Sequence, residues 1–541
     1  MNTASDRESQ DAEARPTIIA DHELERQTDE AILSLESRGD VYQRGGMLVR
    51  FKTDTAGKKL RGMIRPAGEP SIQPIPLSQL HLILSSTADW KKWKLDSKDG
   101  PKLVSTIPPD KVVKGVWERG QYPESIRELQ ALIEAPMLRL DFQVVQEPGY
   151  DPFSGLYYLP PKCLDGHAVP EYPNAADIEN ARFLLLDMIC DFPFRAEAHR
   201  SAYLAWLLTC FARFAYQGNT PFFLINKNSA RTGATLLSQI TSHLVVGRQF
   251  TTISQHVDEE AERKVITSLA MSGCLYVLFD NINKPFGSAA FDMAVTSGTV
   301  SDRSMHTHSM TSAAFMAVMA GTGNNVQFKQ GVDTAPRTLE IALETDLDRP
   351  ETRAGFKHWP LLEYVEEHRA ELVMAALTLL RGYCAAGMPD QKLKNWGGFD
   401  QWSRLIRHCL VWAGLPDPYE AHEELLESAD NDRELREELV YGFKEILDEL
   451  RVESIEMSEA LSEIESDIEY RRHNQAHKFR FPRFHQAMLQ LCGIKDGRMP
   501  NPRVVSNRLK KYKKTPVRGG IALCPLERGE TGVRWTVTKT R

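Results

Sequence analysis

The sequence predicts an α/β protein whose core is a parallel sheet carrying a phosphate-binding loop. Three observations predict it. Residues 220–345 alternate short, continuously apolar runs with helical stretches, as buried parallel strands require. Within them residues 221–239, PFFLINKNSARTGATLLSQ, run from an apolar strand through a small polar turn into a helix. That is the order of G-x-x-x-x-G-K-[ST], in which backbone N–H groups cradle phosphates at a helix N-terminus. Two further apolar runs, 275–279 and 315–319, end in polar residues where such a loop would face them.

In chain order, residues 1–28 read as a disordered acidic tail, since MNTASDRESQDAEARP has no apolar stretch and nothing of a signal peptide. Residues 29–175 read as a mixed α+β, mainly β domain. Residues 41–51 suggest a hairpin turning on Gly45-Gly46, and Pro-rich turns follow at Pro108 and Leu159. A helical region covers about 174–215. Its apolar run 202–215 is too short to span a bilayer and carries Arg213, so it is a core helix and no membrane partner is expected. The phosphate-loop core occupies 176–345. It closes on Leu339, Ile341 and Leu343, whose alternation predicts a strand with one wet face. Residues 346–468 form a helical lid region, in which the acidic stretch 420–469 reads as a solvated helical pair or linker. Residues 469–541 read as short helices followed by a hairpin over 520–537, an order that suits a winged-helix-like module.

Composition narrows the function classes. The chain has 541 residues, a net charge of −7 and eight scattered cysteines without a C-x-x-C pair. Neither a disulfide framework nor a zinc ribbon is suggested, and a reducing cytoplasm fits. The mild acidity hides an asymmetry: from residue 471 onward there are 18 Lys or Arg against 3 Asp or Glu. A basic module on an acidic body points to a polyanion, most often nucleic acid. Its cations are Arg471, Arg472, Lys478, Arg480 and Arg483, then the denser set Arg503, Arg508, Lys510, Lys511, Lys513 and Lys514. Phe479, Phe481 and Phe484 interleave as core of the module rather than as base-stacking groups. His473 and His477 lack the intervening glutamate of H-E-x-x-H, and His306 and His308 have no ligating neighbour in sequence, so no zinc site is assigned.

Four elements carry possible chemistry. In the loop, Gly233-Ala234-Thr235 opens the helix, with Ala234 where the motif has lysine and Asn228 where it has its first glycine. Arg231 and Lys227 are the cations nearby. Second, the strand ending in Asp280-Asn281 supplies a carboxylate suited to Mg²⁺, directly or through water. Third, the element Phe315 to Asn325, opening on the apolar run 315–319, is a buried strand that delivers Asn324, whose amide can bond both a γ-phosphate and an attacking water. Fourth, Arg337, and the arginines of Asp348-Arg349-Pro350-Glu351-Thr352-Arg353, are placed to reach a nucleotide held by a neighbouring subunit. Each element also has a bland reading: a turn, a helix cap or a surface pair.

Their joint order resembles an AAA+-like or superfamily-three-like helicase core. The chain is similar to the ATPase part of primase-helicases from phages and integrated mobile elements, related to the poxvirus-type primase-helicases. The resemblance runs through Tyr42-Gln43-Arg44-Gly45-Gly46, Pro148-Gly149-Tyr150-Asp151, Asp191-Phe192-Pro193-Phe194, and Glu259-Glu260 to Arg263-Lys264. It continues through Phe279-Asp280-Asn281, Thr322-Gly323-Asn324-Asn325, residues 349–353, Gly397-Gly398-Phe399-Asp400 to Trp402, and residues 413–418. It implies ATP and Mg²⁺ as ligands and a homo-oligomer, a hexameric ring, on single-stranded or forked DNA. It also implies a primase, which here would be a separate chain because no primase cluster is evident. By resemblance Asn281 is usual after the strand acid, and the base role falls to Glu259 or Glu260.

Ala234 is the departure. The missing lysine would supply a charge-assisted bond of about 1.5–3 kcal/mol, so its loss weakens ATP binding by roughly one to two decades. Removing a preorganised donor costs turnover a further factor on the order of 100–1,000. Arg231 and Lys227 are the only cations in the loop that could compensate. Two readings follow: a DNA-binding, helicase-like replication ATPase with impaired hydrolysis, or a non-enzymatic DNA-binding assembly or replication-initiation protein on a decayed ATPase ring. An engineered inactivation at Ala234 is a third, against which the missing first glycine argues.

Overall fold

The computed structural model describes residues 15–53, 57–60, 63–96, 100–229, 231–255, 258–303, 310–329, 332–345, 347, 353–473, 479–492, 501–517, 519–528 and 533–539. The chain divides into two compact units, Met1–Glu423 and Glu424–Arg541.

The first unit begins with β1 (Thr17–Ile19), α1 (Leu24–Leu35), β2 (Tyr42–Arg44), β3 (Met47–Thr53), β4 (Lys58–Leu60), β5 (Met63–Arg65) and β6 (Pro70–Pro74). There follow α2 (Leu77–Thr87), β7 (Asp89–Asp96), β8 (Gly100–Ser105), α3 (Asp110–Trp117) and five short strands, β9 (Ala131–Ile133), β10 (Met137–Leu138), β11 (Val144–Val145), β12 (Gly149–Asp151) and β13 (Leu156–Tyr158). The hairpin on Gly45-Gly46 is present as the antiparallel pair β2–β3. Residues 15–28 depart from the expected tail. Ile18 on β1 is buried, and α1 turns Ala31, Ile32 and Leu35 into a core shared with α2 and α3. The polar composition there belongs to the outer side of an amphipathic helix.

The core follows as α4 (Ala175–Met188), α5 (Glu197–Ala212), β14 (Phe222–Lys227), α6 (Ala234–Val246), β15 (Thr251–Ile253), α7 (Glu259–Met271) and β16 (Tyr276–Ile282). Next come α8 (Ala289–Ser297), β17 (Thr299–Arg303), β18 (Met310–Ala314), β19 (Val318–Asn324), β20 (Thr338–Leu343), α9 (Leu361–Glu367) and α10 (Arg369–Ala385), then the short α11 (Asp400–Trp402) and α12 (His408–Trp412). A mixed seven-stranded sheet has the order β20-β14-β19-β16-β15-β5-β4. Its first five strands run parallel, with Lys227 beside both Asn324 and Leu343 and Phe279 beside Ile253 and Gly321. β5 joins antiparallel to β15, so the sheet draws on residues from the expected N-terminal domain.

The three central strands share one pattern. Phe222 to Ile225, Tyr276 to Phe279 and Val318 to Gly323 are buried, whereas Asp280 and Asn324 emerge at the carboxyl ends. Buried layers on both faces demand continuous apolar runs, and polarity returns where the layers stop. Gly321 is required by this packing, since a Cβ there would lie 2.7 Å from both Phe222 Cζ and Ile282 Cδ1.

The wet face expected of β20 is absent: all six of its residues are buried. Glu340, 3% exposed, accepts from Asn226 Nδ2 (2.6 Å) and Arg195 Nη1 (3.3 Å), so its charge is neutralised inside. The outer edge of β20 is covered by α5, where His199 Nδ1 accepts from the Ala342 N–H (3.1 Å).

The second unit opens within α13 (Tyr419–Leu450) and adds β21 (Ile455–Glu456), α14 (Met457–His473), α15 (Pro482–Cys492), α16 (Pro502–Leu509), β22 (Ile521–Arg528) and β23 (Val533–Lys539). Its antiparallel sheet has the order β21-β23-β22. The expected boundary at 468/469 is displaced to 423/424, because Leu439, Phe443, Leu461 and Ile464 share one core with Phe484, Leu509 and Trp535. The acidic stretch 420–469 therefore is not a linker: its charged residues clothe helices whose apolar sides build this core.

Candidate functional site

The phosphate-loop sequence sits between the end of β14 and the start of α6. Gly233 takes φ 97° and, as N-cap residue, has no side chain to cap α6; among the described residues no side chain caps the first-turn N–H groups, which extend outward with the helix dipole. A Cβ at Gly233 would approach Phe192 Cε1 to 3.0 Å, in a conformation that glycine adopts freely. Ala234 is the first residue of α6 and 2% exposed, part of the core. Thr235 beside it is exposed, and so is Arg231, at φ 63°.

Asn228 is not a glycine substitute by conformation, since it does not adopt positive φ. Its side chain instead clasps the end of β20: Nδ2 donates to Thr345 O (3.1 Å), and Thr345 N–H donates to Oδ1 (3.2 Å).

At the same edge, Thr322 Oγ donates to Asp280 Oδ1 (2.8 Å) and accepts from Asn281 N–H (3.0 Å). Thr322 is buried and Asp280 exposed, so the carboxylate is aimed from a fixed hydroxyl at the open end of the sheet. Asn281 takes φ 57° at an irregularity in the β16–β19 ladder, a conformation Asn tolerates. Asn324 ends β19 directly beside Lys227, and Asn325 N–H donates to Lys227 O (3.0 Å). The fold thus brings Arg231, Gly233, Ala234 and Thr235 to the sheet end that carries Asp280 and Asn324. Carboxyl ends of parallel strands are where open α/β sheets bind ligands.

The other predicted residues are distributed differently. Glu259 and Glu260 start α7, after the carboxyl end of β15. Glu260 pairs with Lys264 at 2.6 Å, and Glu259 Oε1 accepts from Ala290 N–H (3.3 Å) at the start of α8. Arg337 is not part of the chain's own site. It immediately precedes β20, at the opposite end of the sheet, where it donates to Asp333 O (2.7 Å) and lies near the Asp333 and Asp292 carboxylates. Residues 348–352 lie outside the described residues. Arg353, one of the arginines placed to reach a neighbouring subunit, donates to Asp191 O (2.9 Å) within its own chain.

That contact borders a cleft that sequence reasoning missed. It has a volume of ≈ 240 Å³ and is walled by Phe192, Arg231, Thr232, Gly233, Leu236, Arg353, Phe356 and Trp359. Phe356 and Trp359 stack at 5.6 Å and 20°, and Trp359 is 74% exposed. The 353–359 segment is fastened by Asp187, which bonds His358 Nε2 (2.8 Å) and Lys357 Nζ. Burial would raise the Asp187 pKa, but the Lys357 and His358 bonds and charges outweigh it and hold the carboxyl below its ordinary value. The aromatic walls come from two segments far apart in sequence, Phe192 from one and Phe356 with Trp359 from the other, and only the Asp191-Phe192-Pro193-Phe194 tag marked the first.

In the second unit Arg503, Arg508, Lys510, Lys511, Lys513 and Lys514 are all exposed, on α16 and the turn after it. Val505, Leu509 and Tyr512 anchor this segment inward. Arg480 and Arg483 lie near Glu463 and Glu438 (3.4 and 3.9 Å), so their charge is partly answered within the unit. Phe481 and Phe484 are core, as expected. His306, His308, His477 and Lys478 lie outside the described residues. Among the described residues no group of three or more His, Cys, Asp or Glu could hold a metal, and no helix is long and apolar enough to cross a membrane.

No family model and no curated protein matches the chain. Among solved structures, the apo NrS-1 C-terminal region is 8% identical and aligns over 94% of this chain and 98% of that one, at a TM-score of 0.34. SCCmec type IV Cch, an active helicase, is 11% identical over 93% of this chain and 97% of that one, at 0.29. JCV helicase is 13% identical over 44% and 73%, at 0.20. None of these scores reaches 0.5, and the function proposed for this chain rests on its own residues.

Proposed function

We propose that the chain binds a nucleoside triphosphate and DNA as a helicase-like replication ATPase, with hydrolysis impaired by alanine at position 234. The observation that carries this reading is the meeting of the uncapped α6 N-terminus, Asp280 and Asn324 at one sheet end, beside an aromatic cleft. Phosphates fit the free N–H groups of α6, with Arg231 and Lys227 adding charge. The Thr235 hydroxyl and Asp280 carboxylate are the oxygen donors suited to Mg²⁺, which when bound would neutralise phosphate charge. Asn324 offers an amide to the terminal phosphate or to water. Phe192, Phe356 and Trp359 offer apolar faces to a base.

Two absences limit chemistry. Position 234 supplies no ammonium to developing charge, and Asn281 cannot take a proton. Glu260 serves as base only if it leaves Lys264. Any part played by Arg337 is toward a neighbouring protomer, in keeping with a ring, a hexamer by the motif resemblance. The phage or mobile-element setting and a separate primase chain come from the same resemblance, and the cytoplasmic site of action from the scattered, unpaired cysteine pattern. The exposed cations from Arg503 to Lys514 are the duplex-backbone contacts of a winged-helix-like module.

The burial of Ala234 and the Asn228 clasp favour a second reading, a non-enzymatic DNA-binding assembly or replication-initiation protein on the same scaffold. Nucleotide binding and DNA-stimulated hydrolysis by the wild-type chain beside Ala234→Lys separate the two. Weak wild-type binding that tightens in the variant, with gain of turnover, supports the ATPase. Silence of both proteins while DNA binding persists removes it.

A further inference from the structure

Away from the nucleotide site, β7 and β8 form a ribbon that outruns its sheet. β1 pairs with β7 only from Asp89 to Lys91, so from Lys92 onward the ribbon is two-stranded. The cross-strand register places Trp93 opposite Leu103 and Leu95 opposite Pro101 on one face. Lys92 opposite Val104 and Lys94 opposite Lys102 occupy the other face. Trp93 is 57% and Leu95 83% exposed. Trp90, three residues earlier, is buried and donates its indole N–H to Leu84 O (2.9 Å). The first tryptophan therefore holds the ribbon to the body, and the second is presented to solvent.

An exposed apolar face needs an occupant, and the charge chooses among the candidates. Lys91, Lys92, Lys94 and Lys102 crowd a short ribbon whose described acids are Asp89 and Asp96, on a chain that is acidic outside its last 71 residues. Protein–protein interface cores are depleted in lysine. Single-stranded nucleic acid asks for this combination, an aromatic face for a base and flexible cations for the phosphates on either side. We infer that the β7–β8 ribbon binds single-stranded nucleic acid, with Trp93 stacking on a base and Lys92 and Lys94 meeting the backbone. The ribbon does so without nucleotide and independently of the site at Asp280.

The test is fluorescence anisotropy of labelled oligo(dT) with the full chain, no nucleotide present, beside an abasic strand of equal length. Trp93→Ala is expected to weaken oligo(dT) binding on the order of tenfold and to leave abasic binding unchanged, while Trp93→Phe keeps most of the affinity. Lys92→Ala with Lys94→Ala is expected to weaken both strands and lower the slope of log K against log salt by about 1.4. Both residues are exposed, so unchanged melting curves should accompany these losses. Wild-type affinity in both variants, or an equal loss on both strands from Trp93→Ala, overturns the proposal. So does a Trp93→Ala protein that sediments as a smaller assembly with unaltered DNA affinity, which would make the ribbon a contact between copies.

Discussion

At the scale of single residues, Ala234 and Thr322 set what the nucleotide site can do. Ala234 lies at the positive end of α6 with its methyl group in the core, so a lysine there meets an unfavourable dipole and a buried stem. Ala234→Lys should cost the ligand-free protein about 1–2 kcal/mol, read as a lowered melting temperature. ATP with Mg²⁺ should recover that loss by mass action. A variant whose melting ignores ATP would count against a phosphate cradle. Thr322 is the hidden partner of Asp280. Thr322→Val removes the hydroxyl that aims the carboxylate and accepts from Asn281 N–H, at a cost of about 1–3 kcal/mol. Mg²⁺-dependent nucleotide binding should weaken with it, while Mg²⁺-independent binding changes little; calorimetry with and without Mg²⁺ separates the two.

At the scale of elements, the cleft is held by the seating of residues 353–359 on α4, through Asp187. Its carboxyl is held below the ordinary value of 3.8, so the folded state favours the ionised form. The resulting stabilisation is present above that value and is lost as pH falls through the lower, folded one. The melting-temperature gap between wild type and Asp187→Asn should be full at neutral pH and close below about pH 4. A gap that persists in acid would mean that Asp187 acts by packing alone. The strands were legible because apolar continuity is a local signal: 222–225 and 276–279 sit where the pattern puts them. β20 misled because alternation is local but its cause was not. Glu340 is held inside by a hydrogen bond from Asn226 and an ion pair with Arg195, which no window around residue 340 contains. The cleft was illegible for the same reason, its aromatic walls being contributed by separate segments.

At the scale of the whole molecule, the two units differ from the domains that composition suggests. Acidic helices and a basic tail look like separate bodies by charge, yet share one core, because charge describes surfaces while periodic apolar residues describe interiors. Residues 424–541 expressed alone should melt cooperatively and retain salt-sensitive DNA binding, whereas 469–541 alone should not fold. Circular dichroism and filter binding check both. A non-cooperative 424–541 fragment would refute the boundary. The central sheet carries a practical consequence of the same kind. Because β5 seals the flank of β15, a fragment begun at residue 176 to isolate the nucleotide site would leave that strand's N–H and C=O groups unpaired, ready to capture other chains. Such a fragment is expected to precipitate, and its silence in an ATPase assay would say nothing about the enzyme.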